Sequence, residues 1–292
     1  MTATSAGAPV RAPAAGRADR RPTLAAAAFA AHAELRRREP LLAAFAAGCL
    51  ALGALAAAAA AVDPRTLGGV SVWLKPAKFF GSVTVFALTW AWLAGLVRPD
   101  ARGAPALRRA RWTLVGAGAF ELAYITLQAA RGEASHFNTG DQLHAVLYGL
   151  MGVGAVALLA TNVPLALAVA RRPAPDADPE LRRAAVLGLT LSMLLGGVLG
   201  GYLSAQAGHA VGPEVGHLAV TGWNRAAGDL RVAHFLGLHA EQALPIAARA
   251  LGAGGGGVRW RRAAVWAAAG AWTLGTLLAF AQCVRGRPFP LG

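Results

Sequence analysis

Apolar residues gather in seven runs of about 20 residues, the length an α-helix needs to cross the hydrocarbon core of a bilayer at 1.5 Å per residue. The runs cover 41–62, 77–97, 112–130, 143–170, 184–204, 230–251 and 263–283. Short connections broken by Pro and Gly, such as RPDARGAPALRRAR, RRPAPDADPELRR and GAGGGGVRWRR, separate several of them, as adjacent antiparallel spans require. The pattern predicts an all-α, polytopic transmembrane helix bundle with seven spans. It divides the chain into a basic Ala/Arg-rich tail over 1–39, read as cytoplasmic and disordered, a membrane bundle over 40–283, and a short extracytoplasmic tail over 284–292.

Composition points the same way, since 56% hydrophobic residues, 14% charged residues and a mean hydropathy of +0.46 are far too apolar for a soluble domain. A net charge of +14 raises the question of nucleic acid, but the basic residues fall at span ends and alternate by connection, so no nucleic-acid partner is expected. The N-terminal tail holds seven Arg and the second, fourth and sixth connections hold five, four and four, whereas the rest of the chain shares eight Lys and Arg. The positive-inside rule then places the N-terminus in the cytoplasm and the C-terminus outside, in the inner (plasma) membrane of the cell. The lipid bilayer is the first partner implied, and a small ion or solute the second.

Two cysteines, Cys49 and Cys283, lie at different predicted depths and supply neither a disulfide framework nor a thiolate metal motif. The only lysines, Lys75 and Lys78, lie before and at the start of the second span, which excludes a retinal Schiff base within the bundle. In WLKPAKFF they read as an interfacial anchor, or as positive charge offered to an outer cavity. Phosphate loops, paired-cysteine motifs and serine nucleophile elbows of the Gly-x-Ser-x-Gly type are absent from the sequence. Gly196, Gly197, Gly200 and Gly201 give two small-xxx-small pairs that let a neighbouring helix approach.

The chemistry concentrates in residues 228–245, GDLRVAHFLGLHAEQALP, because ionisable groups at bilayer depth are costly and normally face a bundle interior. At 100° per residue, Arg231, His234, Leu238 and Glu241 share one stripe, while His239 lies about 140° from His234 and shares a face with Gln242. The two histidines therefore cannot ligate one ion from a single helix, and the spacing is not that of a zincin. The third span carries a matching stripe of Glu121, Tyr124, Gln128 and Arg131. Each stripe puts an Arg at the outer surface and a Glu ten residues deeper, about 15 Å. If the stripes face each other, Glu121 and Glu241 form a buried carboxylate pair near His239 and Gln242, suited to proton or cation binding. His136, His209 and His217 read as solvated or capping loop residues, Asp141 as an N-cap, and Asn162 with Pro164 as a local kink.

These features predict proton- or cation-linked transport or small-solute binding, with Glu121 and Glu241 holding the ion, His234 and His239 tuning them, and Arg131 and Arg231 at the mouth. No catalytic residue is assigned. The alternative is a redox membrane protein binding haem b or quinone, with His144 and His234 as axial ligands. A third reading is a membrane assembly or scaffold protein whose polar residues recognise a partner helix. The segments WLKPAKF, LQAARGEASHFN and GWNRAAGDLRVAHFLGLHAEQALP resemble stretches of bacterial multi-pass integral membrane proteins, over about residues 70 to 250. That family carries no assigned activity, so the resemblance implies the membrane class and the location of the site without a mechanism.

Overall fold

All seven apolar runs fold as helix, the only open-ended structure that satisfies every backbone N–H and C=O within one segment when no water is at hand. The computed structural model describes residues 23–218 and 220–290. Helix α1 (Leu24–Arg38) leads into α2 (Pro40–Val62), followed by α3 (Leu74–Ala94) and α4 (Pro105–Arg131). The next pair is α5 (Gln142–Ala160) and α6 (Asn162–Arg171), interrupted only at Thr161. Helix α7 (Pro179–Leu191) passes through a π-turn (Ser192–Gly196) into α8 (Gly197–Ser204). The chain closes with α9 (Leu230–Leu238), α10 (Ala240–Ala253) and α11 (Val258–Val284). Start signals are local: Pro stands in the first turn of α2, α4 and α7, and Asp141, Asp178 and Asp229 cap α5, α7 and α9 through their side chains.

Five of these units are long and apolar enough to cross a membrane: α2, α3, α5 with α6 (Gln142–Arg171), α7 with α8 (Pro179–Ser204), and α11. The third and sixth apolar runs fall short of that standard for separate reasons. Helix α4 has the length but spends hydropathy on Glu121, Tyr124 and Gln128, all buried. The sixth run is cut at His239 into pieces of 9 and 14 residues. Two departures from the expected architecture stand out. The described part of the N-terminal tail is helical rather than irregular, with Arg37 and Arg38 both paired to Glu34, while residues 1–22 lie outside the described residues. The connections after α2 and after α8 hold two-residue ladders, the first a hairpin around Gly68 and Gly69, whose φ of 59° and 78° suit the tight turn.

The main core lies where α3, α4, α6, α7 and α10 meet and includes Trp90, Leu114, Leu165, Leu189 and Leu244. Arg111 of α4 reaches the buried Glu39 ahead of α2 through two hydrogen bonds of 2.5 and 2.6 Å and lies over the Trp90 ring. A smaller cluster around Leu199, Val232, Ala279 and Cys283 ties α8, α9 and α11 together. The free Cys49 and Cys283 are both buried. Large apolar side chains stay exposed along α2, α5 and α11, among them Leu55, Val156 and Leu278, as a lipid-facing surface requires.

Candidate functional site

Glu241 is 2% exposed and sits in the first turn of α10, immediately after the chain breaks at His239. That break frees backbone carbonyls that a continuous helix would satisfy, and neighbouring helices supply the donors: Trp272 Nε1 donates to Leu236 O at 2.9 Å and Ser192 Oγ to Leu238 O at 2.8 Å. Ser192 opens the π-turn, so the irregular parts of two helices lie against each other. The third irregularity, at Thr161, brings Asn162 to the same place. Its side-chain amide donates to Glu241 Oε2, and Gln242 Nε2 donates to Glu241 Oε1 at 2.9 Å and to Thr89 Oγ1 at 3.2 Å. Gly188 lets α7 pass against the backbone at Ala240 and Glu241. Two oxygens remain buried without a donor, Asn162 Oδ1 and Gln242 Oε1. The Glu241 carboxylate thus sits among amide and hydroxyl oxygens with unused acceptor capacity, the donor set that hard cations and protons accept.

Glu121 lies elsewhere. It packs against Gly154 of α5, where an added Cβ would come 2.7 Å from its Oε1, whereas Glu241 meets Asn162 eight residues further along. Eight residues of helix are about 12 Å of rise, so the two acids occupy separate sites and the expected carboxylate pair does not form. Around Glu121 a second cluster gathers from α3, α4 and α5. The Lys75 ammonium is the charge nearest in effect to Glu121 and lies 5.8 Å from the Phe79 ring centroid. Phe79 packs with Tyr124 and Met151 and meets the edge of His136 at 5.7 Å, and His136 in turn neighbours Tyr148 at 5.9 Å. Glu121 Oε1, Tyr124 Oη and Tyr148 Oη are buried without hydrogen-bond partners.

The remaining sequence-selected residues make local contacts elsewhere. Gln128 and Arg131 both bond Glu133, at 3.3 and 3.0 Å, and Arg131 itself is exposed. Arg131 holds the Glu133 carboxyl below the usual carboxylate range. Arg231 grips Asp229 at 2.6 Å and the Gly222 carbonyl at 2.6 Å, so it staples the outer loop rather than standing free at a mouth. Lys78 similarly donates to Thr221 O at 2.9 Å. His234 Nδ1 donates to Gly196 O at 3.1 Å, with its ring against Gly200. His239 Nδ1 donates to Phe235 O at 2.8 Å and its ring stacks on Phe235, so neither histidine touches Glu241 by hydrogen bond. His136, read as a loop residue in solvent, instead turns inward; burial and the Lys75 charge push its pKa down to about 3.

Asn162, Ser192, Thr89 and Tyr148 are not singled out as site residues by spacing, whereas Lys75 reads as an interfacial anchor or as charge offered to a cavity. Asn162 carried a signal, a deep amide beside a proline, that served equally for a kink. The haem reading fails its test of fit. An axial histidine needs a free ring nitrogen, but His144 spends Nδ1 on Asp141 at 2.5 Å and Nε2 on Glu133 at 3.1 Å. Among the described residues no group of three or more His, Cys, Asp or Glu side chains could hold a metal ion. Fold and site together define a helical bundle, five of its helical units long and apolar enough to cross a membrane, whose buried polar groups collect in two clusters, one of them at helix breaks. Comparison with family models, curated proteins and solved structures gives no match.

Proposed function

We propose that this chain is a seven-span protein of the bacterial inner membrane, N-terminus in the cytoplasm, that binds or transports a small solute in a proton- or monovalent-cation-linked manner. Its coupling site is Glu241. The observation that carries this reading is the meeting of three helix interruptions, at Thr161, Ser192–Gly196 and His239, on one buried carboxylate flanked by the unpaired Asn162 Oδ1 and Gln242 Oε1. Helix interruptions at membrane depth place backbone and side-chain oxygens where an ion can use them, and a buried acid there is retained for function more readily than for stability. Glu121 belongs to the solute side of the same machine rather than to the ion site.

The test uses purified full-length protein in mild detergent. Because a bound ion stabilises the folded state by mass action, thermal unfolding is followed across pH and with sodium replacing choline at constant ionic strength. The wild type shifts with protons or sodium, and Glu241→Gln, still monodisperse, loses the response. An apparent affinity reduced by about tenfold or more, equivalent to about 1.4 kcal/mol, is the least such a variant should show. A wild type indifferent to both ions, or a Glu241→Gln that responds as the wild type does, overturns the reading.

A further inference from the structure

The outer cluster contains two opposite charges that do not meet. Lys75 forms no hydrogen bond or ion pair among the described residues; its nearest described partner is the Phe79 ring, 5.8 Å away. Glu121 is 5% exposed, its Oε1 has no donor, and the charge acting on it is that of Lys75. Glu121 is buried and Lys75 half-buried, and holding an acid and a base in one compartment without pairing them is costly for whichever is ionised. The same cluster holds two more unspent groups, the hydroxyls of Tyr124 and Tyr148, both buried without partners. Native proteins leave few such groups, and several gathered in one place mark a position that another molecule completes.

The geometry is maintained at a cost. Phe137 follows the inward-turned His136 with φ of 55°, a left-handed conformation that a bulky side chain adopts only when its surroundings impose it. Its ring then lies 5.6 Å from Tyr148, while the neighbouring Ser135 is buried and its hydroxyl is 3.3 Å from His136 Nδ1. The strained SHFN turn therefore holds an aromatic wall over the unpaired groups. Lys75 stands in the first turn of α3, at the outer end, and Glu121 lies ten residues, about 15 Å of rise, below the outer end of α4. A ligand between them is met first by a cation and two hydroxyls, and further in by a carboxylate.

We infer that this cluster binds a small zwitterion, a molecule with one carboxylate and one ammonium such as a short-chain α-amino acid, the carboxylate on Lys75 with the Tyr124 and Tyr148 hydroxyls and the ammonium on Glu121. Both charges are then paired by the ligand, and neither sign is left in excess. Close packing of Phe79, Met151 and Gly154 around Tyr124 and Glu121 keeps the ligand small. The inference names the solute class of the proposed function and rests on that reading, but it concerns a different group of residues.

The experiment is equilibrium binding of radiolabelled alanine to the purified full-length protein without any gradient, in sodium and in choline buffer, with alanine methyl ester and N-acetylalanine as competitors. Alanine binds, and both blocked forms compete at least tenfold less well, since each removes one charge. Lys75→Met abolishes the preference for alanine over its methyl ester, and Glu121→Gln abolishes the preference over N-acetylalanine. Saturable binding with that selectivity supports the proposal. It is overturned if folded wild type binds no labelled alanine, in which case the cluster holds water alone, or if both blocked forms compete as well as alanine. The competitor panel on the wild type decides the matter even where a variant fails to fold. Glu241→Gln is run alongside: alanine bound by a wild type that shows no ion response sinks the coupling role of Glu241 and leaves the zwitterion site standing.

Discussion

Where α7 crosses α10, the distance between the two backbones is set by Gly188: a methyl group there would lie 2.8 Å from the Ala240 carbonyl oxygen and 3.0 Å from Glu241 Cα. Backbone cannot retreat as a side chain can, so Gly188→Ala should destabilise by about 1–3 kcal/mol. Gly48→Ala, on an exposed face of α2 with nothing within 4 Å, should lose nothing. Parallel thermal unfolding of the two variants checks this. His136 gives a pH prediction with a definite sign. Its pKa is about 3 in the folded protein against 6.5 as a free side chain, so the unfolded chain takes up the proton first. Its contribution to stability is complete above about pH 6.5 and is lost as pH falls toward 3. The depressed carboxyls of Asp63, held by Arg65 and Trp73, and of Glu133 add loss in the same direction at lower pH. Replacing the ring by His136→Gln should flatten the stability profile between pH 6.5 and 4, measured by urea unfolding; an unchanged slope would show that His136 is not held uncharged. At this scale the sequence displayed the deep acids clearly, because a carboxylate inside an apolar run has no cheap explanation. Thr89, Ser192 and Asn162 were not legible as companions of Glu241, since small polar side chains also sit quietly in helix interfaces and only tertiary structure brings these three together.

At the level of the helix, spacing grouped residues along one helix but did not tell which neighbouring helix each group would meet. Helix α4 runs unbroken from Pro105–Arg131, and Glu121, Tyr124 and Gln128 are all buried on its packed face, as the spacing required. The other stripe assumed one helix through His239. The helix turns there, with φ −84° and ψ 5° at His239, yet His234, Leu238 and Glu241 all still pack along the α7–α8 unit, at Gly200, Gly196 and Gly188, and Glu241 meets Asn162 of α6 rather than Glu121. Gly237 lies two residues before the break, against the backbone of Leu195 and Gly196, and Pro245 six residues after it inside α10. What sustains the break is tertiary, namely the donors Trp272 and Ser192 on the abandoned carbonyls. Trp272→Phe keeps the ring and removes the N–H, leaving Leu236 O without that donor. A cost of about 1–3 kcal/mol follows from an unsatisfied buried acceptor. The same change at the exposed Trp266 should be silent, and chemical denaturation of both variants distinguishes the loss of a specific bond from general loss of indole.

For the molecule as a whole, hydrophobic run length recovered all seven helical units, because run length and helix rise are linked by bilayer thickness alone. It did not reveal α1, whose 15 residues fall short of a membrane span, nor which runs would be interrupted. The proposed topology makes a direct statement about exposure. The residues Gly103 and Pro175 are exposed in cytoplasmic connections under that topology, and Thr139 is exposed in an outer one. Native Cys49 and Cys283 are buried and should stay silent to a membrane-impermeant maleimide. Thr139→Cys should therefore label in intact spheroplasts, whereas Gly103→Cys and Pro175→Cys should label only after permeabilisation; the reverse pattern would invert the protein in the membrane.

The interruption at Thr161 has a mechanical meaning. Beyond it, α6 is anchored in the main core by Leu165 and Val169, while α5 buries only Met151 and Gly154 along its 19 residues. Were such a rod, about 28 Å long, to tilt by about 10° about Thr161, its far tip would move about 5 Å and Asn162, next to the pivot, less than about 1 Å. Tyr148 rides on the long arm and the partner of Glu241 on the short one. Displacements at the rim would thus reach the buried carboxylate scaled down to the size of a hydrogen bond.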